Sequence, residues 1–179
     1  MIITYVDIEM EQPSQEIIEI GWFIGNPVTG KEVIKNNALI NIGKPLSSFI
    51  TSLTGIDDVM LSTAGTLQEA CNSLLTDHRT YSDFMNPATW GGSDIEFIKS
   101  QLVDYPELLL QMNLGFGRRW IDVKTIYQAY RMAKQLSIKS GLAKSLTRVD
   151  LKFEGTKHRA ADDAYNTFRI HRELLKRMA

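Results

Sequence analysis

The sequence predicts an α/β protein: a mixed sheet flanked by helices. Three observations lead there. Apolar, β-branched runs separated by turn residues fill the first 42 positions. From Thr66 onward the pattern shifts to helix-cap signatures and helical periodicity. The chain closes on an amphipathic segment, about 160–178, with Ala161, Ala164, Phe168, Leu175 and Met178 on one face.

Residues 2–7 read as a buried strand, 16–24 (EIIEIGWFI) as a second and 33–42 (VIKNNALINI) as a third. Asn-Pro and Thr-Gly between the last two mark a turn, so the three predict a meander. Thr66 with Glu69 makes a capping box before a helix to about Thr76. Residues 80–91 contain a fourth strand, and Ser93 with Glu96 opens a helix to about Val103. Asp122 caps a helix over 123–135, and SGLAKSLTRV adds a short one. No linker or repeat divides the chain, which predicts one domain, 1–179.

No apolar run approaches the roughly 20 residues of a membrane helix, so no membrane partner is expected. Cys71 is the sole cysteine and no export signal precedes it, which points to a reducing cytoplasm. The net charge of −1 conceals an asymmetry: residues 1–114 hold 5 Lys/Arg against 15 Asp/Glu, and 115–179 hold 15 against 6. One half can gather cations and the other can attract a polyanion. His78 and His171 read as surface residues.

GNPVTGK (Gly25–Lys31) has the spacing of a phosphate-binding loop. Glu32 stands where a hydroxyl should follow, and strand-like residues replace the helix whose N-terminus would meet a phosphate. The segment is a hairpin turn.

Asp7 and Glu9 end the first strand, and residues two apart share a face. Asp94 follows Trp90-Gly-Gly-Ser at the start of a helix, where acids also serve the helix dipole. His158, Asp162 and Asp163 lie where the last helix begins. Helical spacing would bring Asp162 beside His158, but Gly155 and Thr156 suggest that His158 is in a loop, where that spacing does not apply.

Taken in order, Asp-x-Glu, Trp-Gly-x-x-Asp and His-x4-Asp resemble the DEDDh family of 3′–5′ exonucleases. Leu53-Thr54-Gly55-Ile56 is similar to that family's segment after the third strand, and FEGTKHRAADDAYN is similar to its histone-mRNA and small-RNA branch and bacterial relatives. The resemblance spans nearly the whole chain. It implies a ribonuclease-H-like fold: an antiparallel meander of three strands, further parallel strands, and helices around them. It selects Asp163 over Asp162, leaving Asp162 a supporting residue. It also implies cleavage from a 3′ end, RNA favoured over DNA, with release of 5′-mononucleotides; the overall acidity argues against tight duplex binding and points to single strands. Met10, Leu53, Thr54 and Trp90 would touch the substrate. Where the family often has Thr soon after the first Glu, this chain has Met10-Glu11.

Asp7, Glu9, Asp94 and Asp163 offer hard oxygen donors, suited to two divalent cations, Mg²⁺ or Mn²⁺. His158 would be the general base, since an imidazole takes protons near neutral pH. Arg118, Arg119, Lys157 and Arg159 are expected to meet phosphates, and Trp22, Trp90 and Trp120 carry faces for stacking, though tryptophan more often belongs to the core. Two other readings fit the fold: a non-catalytic nucleic-acid-binding module, and a proofreading partner of a polymerase. Retention of all five site residues disfavours the first.

Overall fold

The computed structural model describes residues 1–179. β1 (Ile3–Met10), β2 (Ile17–Gly25) and β3 (Glu32–Leu39) form the antiparallel meander. Then come α1 (Ser48–Thr54), α2 (Asp58–Ser62), α3 (Leu67–Tyr81), β4 (Ala88–Thr89), α4 (Ser93–Gln101) and α5 (Pro106–Phe116). β5 (Ile121–Asp122), α6 (Val123–Ala133), α7 (Leu142–Thr147) and α8 (Ala160–Met178) complete the chain. The sheet runs β3-β2-β1-β4-β5, with β4 parallel to both β1 and β5. This is the ribonuclease-H-like arrangement that the resemblance implies. No helix is long and apolar enough to cross a membrane.

Alternation along the strands divides their side chains between two cores. Val6, Ile8, Ile20 and Trp22 pack with Leu74, Ile98 and Met112, under α3, α4 and α5. Ile3, Tyr5 and Phe23 pack with Tyr127, Leu146 and Phe168, under α6, α7 and α8. The row begun by Ile3 and Tyr5 continues as Asp7 and Glu9, so both acids point to the α8 side, past the end of the apolar layer. Gly21 pairs with Asp7 on the neighbouring strand. A Cβ at Gly21 would collide with the backbone of Ala160 and Ala161, so only glycine lets the start of α8 press against the sheet beside Asp7.

Several expectations need correction. The fourth strand lies within 80–91 as expected and is only Ala88–Thr89, but α3 runs past Thr76 to Tyr81. The Thr66–Glu69 capping box is present, but α4 starts from Gly92 with no side-chain cap, so Ser93 and Glu96 form no box. Ser93 is already helical, one residue too late to serve as N-cap. α5 escapes the sequence pattern because Leu110 and Leu114 put apolar residues on its exposed side and blur the stripe. α1 and α2 are too short for a period, although Ser47 and Asp57 cap them.

α8 buries Ala160, Ala164, Phe168, His171 and Leu174, a face turned from the expected one, and Met178 is exposed. His171 and His78 are therefore not surface residues. His171 Nδ1 shares a 2.8 Å hydrogen bond with the Tyr5 hydroxyl, and His78 Nδ1 one of 2.9 Å with Thr4 Oγ1. Burial pushes His171 down to about 4 and lowers His78, so neutral imidazoles fill both places. Trp22 is fully buried and cannot stack on a base. The Gly25–Lys31 stretch is a tight hairpin turn, closed by Gly30 N–H on Asn26 O at 2.8 Å.

Candidate active site

Three elements deliver carboxylates to one place. β1 carries Asp7 and Glu9, and the first turns of α4 and α8 carry Asp94 and Asp163. The loop before α8 carries His158. The donor atoms of Glu9, His158 and Asp163 all lie within 4.8 Å of one another. A cavity of about 520 Å³ opens over them, and Asp7, Glu9, His158 and Asp163 are in its wall.

The charge there is compensated only in part. Asp7 is pushed well above the usual carboxylate range, first by desolvation, then by Asp94, Asp163, Glu9 and Glu19. Glu9 rises to about 8 by desolvation and by Asp163, Glu19 and Asp94, with Arg159 opposing. Asp94 rises to about 7 by desolvation and the charge of Asp122. Asp163 rises to about 7 by desolvation, although the His158 backbone N–H donates to its Oδ2 at 3.0 Å. No protein donor lowers Asp7 or Asp94. A cluster of bare oxygens is short of positive charge, and its chemistry fits a hard divalent cation rather than zinc; Cys71 is buried in the opposite core.

The choice between Asp162 and Asp163 follows from the loop. His158 has φ +61 and lies outside α8, so helical spacing does not apply. Asp163 turns to the cavity. Asp162 turns away, pairing with Lys35 and accepting the Thr156 N–H at 2.7 Å.

Other expected residues are divided. Trp90 lines the cavity, and so does Lys157. Met10, Leu53 and Thr54 are not in its wall. Thr54 is buried, its hydroxyl donating to Ile50 O at 2.9 Å and accepting the Ile56 N–H at 3.1 Å, so it has no hydroxyl to offer a ligand. Leu53 is exposed on α1, which is tied to the end of β1 by a 3.1 Å bond from Ser47 N–H to Glu11 Oε2. Arg118 and Arg119 precede Ile121, which aligns with Ala88 and Tyr5, so they lie toward the other end of the sheet. Trp120 lies there too, edge-on to Phe116. Arg159 is taken by Glu19 at 2.8 Å. Asp122 caps α6, accepting the Thr125 N–H at 3.0 Å.

Sequence reading missed Lys144 and Phe153 in the cavity wall, and Glu19 behind it. The one available signal was the glutamate inside the apolar run EIIEIGWFI: a charge in a buried strand must have a partner.

The exonuclease family model (RNase_T) matches residues 4–171. No curated protein matches the sequence. Among solved structures, the chain superposes on a 3′-exonuclease described in 3′-end-specific recognition of the histone mRNA stem-loop (TM-score 0.80, 19% identity, 98% of this chain and 82% of that one). The nuclease domain of 3′hExo, a DEDDh family member bound to rAMP, matches at TM-score 0.76 and 20% identity, over 98% and 92%. Cell-death related nuclease 4 (CRN-4) matches at 0.78 and 17%, over 98% and 64%. The chain spans 61% of a full-length 3′-exonuclease that it also resembles, at TM-score 0.76. With Asp7, Glu9, Asp94, His158 and Asp163 in DEDDh order on this fold, the chain belongs to the exonuclease family.

Proposed function

We propose that residues 1–179 form one exonuclease domain that removes 5′-mononucleotides from the 3′ end of single strands, RNA favoured over DNA. One observation carries the reading. Glu9, Asp163 and His158 converge within 4.8 Å, beside Asp7 and Asp94, at a cavity of about 520 Å³. The 3′ polarity is supported by the resemblance and by 3′-exonucleases of the same fold.

Asp7, Glu9, Asp94 and Asp163 would hold two divalent ions, Mg²⁺ or Mn²⁺. When bound, such ions supply charge stabilisation to the attacking and departing oxygens of a phosphodiester displacement. A fold neighbour, S. pombe Pop2p, is described in an Mg²⁺- and Mn²⁺-bound form (TM-score 0.69, 15% identity). His158 is exposed at the cavity rim, with its main chain held by Asp163. From there its imidazole takes a proton from the nucleophilic water. Lys144 and Lys157 face the cavity from the basic half of the chain and would meet the strand's phosphates. Trp90 and Phe153 give the cavity apolar wall for base and sugar.

The test is end-labelled RNA and DNA with Mg²⁺, Mn²⁺ or chelator. The expected result is stepwise shortening of a 5′-labelled strand from its 3′ end, faster on RNA, and none in chelator. Retardation of the strand without shortening would overturn the catalytic reading.

A further inference from the structure

Glu19 is 1% exposed on β2, directly across from Glu9 on β1. A carboxylate so deep needs partners, and it has them in number. Its Oε1 accepts Asn37 Nδ2 at 2.7 Å and Arg159 Nη2 at 2.8 Å. Arg159 Nε lies 3.3 Å from Oε1 and 3.2 Å from Oε2. Oε2 also accepts the Ala160 backbone N–H at 3.0 Å.

Two of these partners, Arg159 and Ala160, are the residues that follow His158. α8 has Arg159 as its N-cap, and no side chain of the cap residue bonds to the helix. Glu19, 141 residues away in sequence from Ala160, does the capping instead, with its charge at the positive end of the helix dipole. His158 itself sits at φ +61, a conformation that a non-glycine residue keeps only when its surroundings over-determine it. Upstream, Asp162 holds Thr156 and Asn166 holds Glu154; downstream, Glu19 holds Arg159 and Ala160. Arg159 is also a cation close enough to oppose the rise of Glu9. Released, its guanidinium would be drawn to the bare carboxylates.

We propose that Glu19 is a positioning residue: by clamping Arg159 and the first N–H of α8, it sets His158 and Asp163 against Glu9 and keeps the Arg159 charge out of the cation site. This rests on the exonuclease reading for its kinetic consequence alone.

The experiment compares Glu19→Gln and Arg159→Lys with the parent. Lysine keeps the charge and loses the two-pronged grip. Mn²⁺ affinity is measured by calorimetry without nucleic acid, and the His158 and Asp163 amides are followed by NMR. Both variants are expected to lose roughly 10–100-fold in Mn²⁺ affinity, the usual cost of removing a group that orients ligands. The His158 and Asp163 amides should shift while those of α5, which packs in the opposite core, stay. On substrate, kcat should fall with KM within about threefold, because positioning acts on the reacting groups. Folded variants with parental Mn²⁺ affinity and an unmoved His158 amide would overturn the proposal. A parent that binds Mn²⁺ but cuts nothing would overturn the exonuclease reading, and the binding and NMR arms would still decide the role of Glu19.

Discussion

Glu9 and Glu19 face each other across β1 and β2, on the same side of the sheet, and have opposite surroundings. Glu19 is saturated by an arginine, an asparagine and a helix N-terminus. Glu9 has Arg159 at a distance, the His158 ring within 4.8 Å and several like charges near it, and it rises to about 8. Two identical side chains in one strand register thus divide into a fastener and a proposed metal ligand. The presence of protein donors decides which is which. A carboxylate that the fold has satisfied holds the fold; one left bare beside three others awaits a cation from outside.

The largest expected effect comes from removing the bare charges. Asp7→Asn or Glu9→Gln should abolish metal-dependent cleavage in an end-label assay. Full activity in either variant would erase the distinction drawn between the two glutamates. His158→Ala should lower kcat by roughly 10²–10⁴ while Mn²⁺ binding by calorimetry persists, since the oxygens remain. Asp163 and Asp162 sharpen the contrast within one helix turn. Asp163→Asn should lose metal binding, and Asp162→Asn, which touches Lys35 and Thr156 instead, should retain it.

The smallest effects are on stability. In chelator, Glu19→Gln should destabilise by about 1–3 kcal/mol, the scale of a lost hydrogen bond to a charged group. Glu9→Gln should raise the denaturation midpoint, because it removes a carboxyl that burial and neighbouring acids disfavour more than Arg159 offsets. Chemical denaturation of the two variants side by side reads both signs.

The carboxylate cluster was legible in the sequence through its order, which resembles a family pattern, more than through any one member. Asp7 and Glu9 end an apolar strand, and Asp94 and Asp163 open helices. Asp122 and Thr66 announced their helices by short-range capping, which needs no tertiary information. What escaped depends on contacts across the chain. Glu19 meets Arg159 some 140 residues on, and His171 meets Tyr5 across 166. A polar residue that the fold buries and satisfies looks, in sequence, like one that solvent satisfies. Gly21 reads as an ordinary strand glycine until α8 is seen to rest on it. Arg118 and Arg119 follow the charge asymmetry correctly but fall at the wrong end of the sheet, which only the β4–β5 register reveals.

The most direct measurement is the thermal midpoint of metal-free protein between pH 5 and 8, with and without Mn²⁺. Glu9 titrates at about 8 in the fold against an ordinary 4.5, and Asp94 and Asp163 at about 7 against 3.8. Such raised groups bind protons more tightly folded than unfolded, so their stabilisation is full at low pH and is lost as pH rises through 7 and 8. The account predicts a midpoint that falls toward pH 8 in chelator, falls less in Glu9→Gln, and is restored at pH 8 by Mn²⁺ in the parent alone. A parent midpoint indifferent to Mn²⁺ at pH 8, and a pH profile identical in Glu9→Gln, would contradict it.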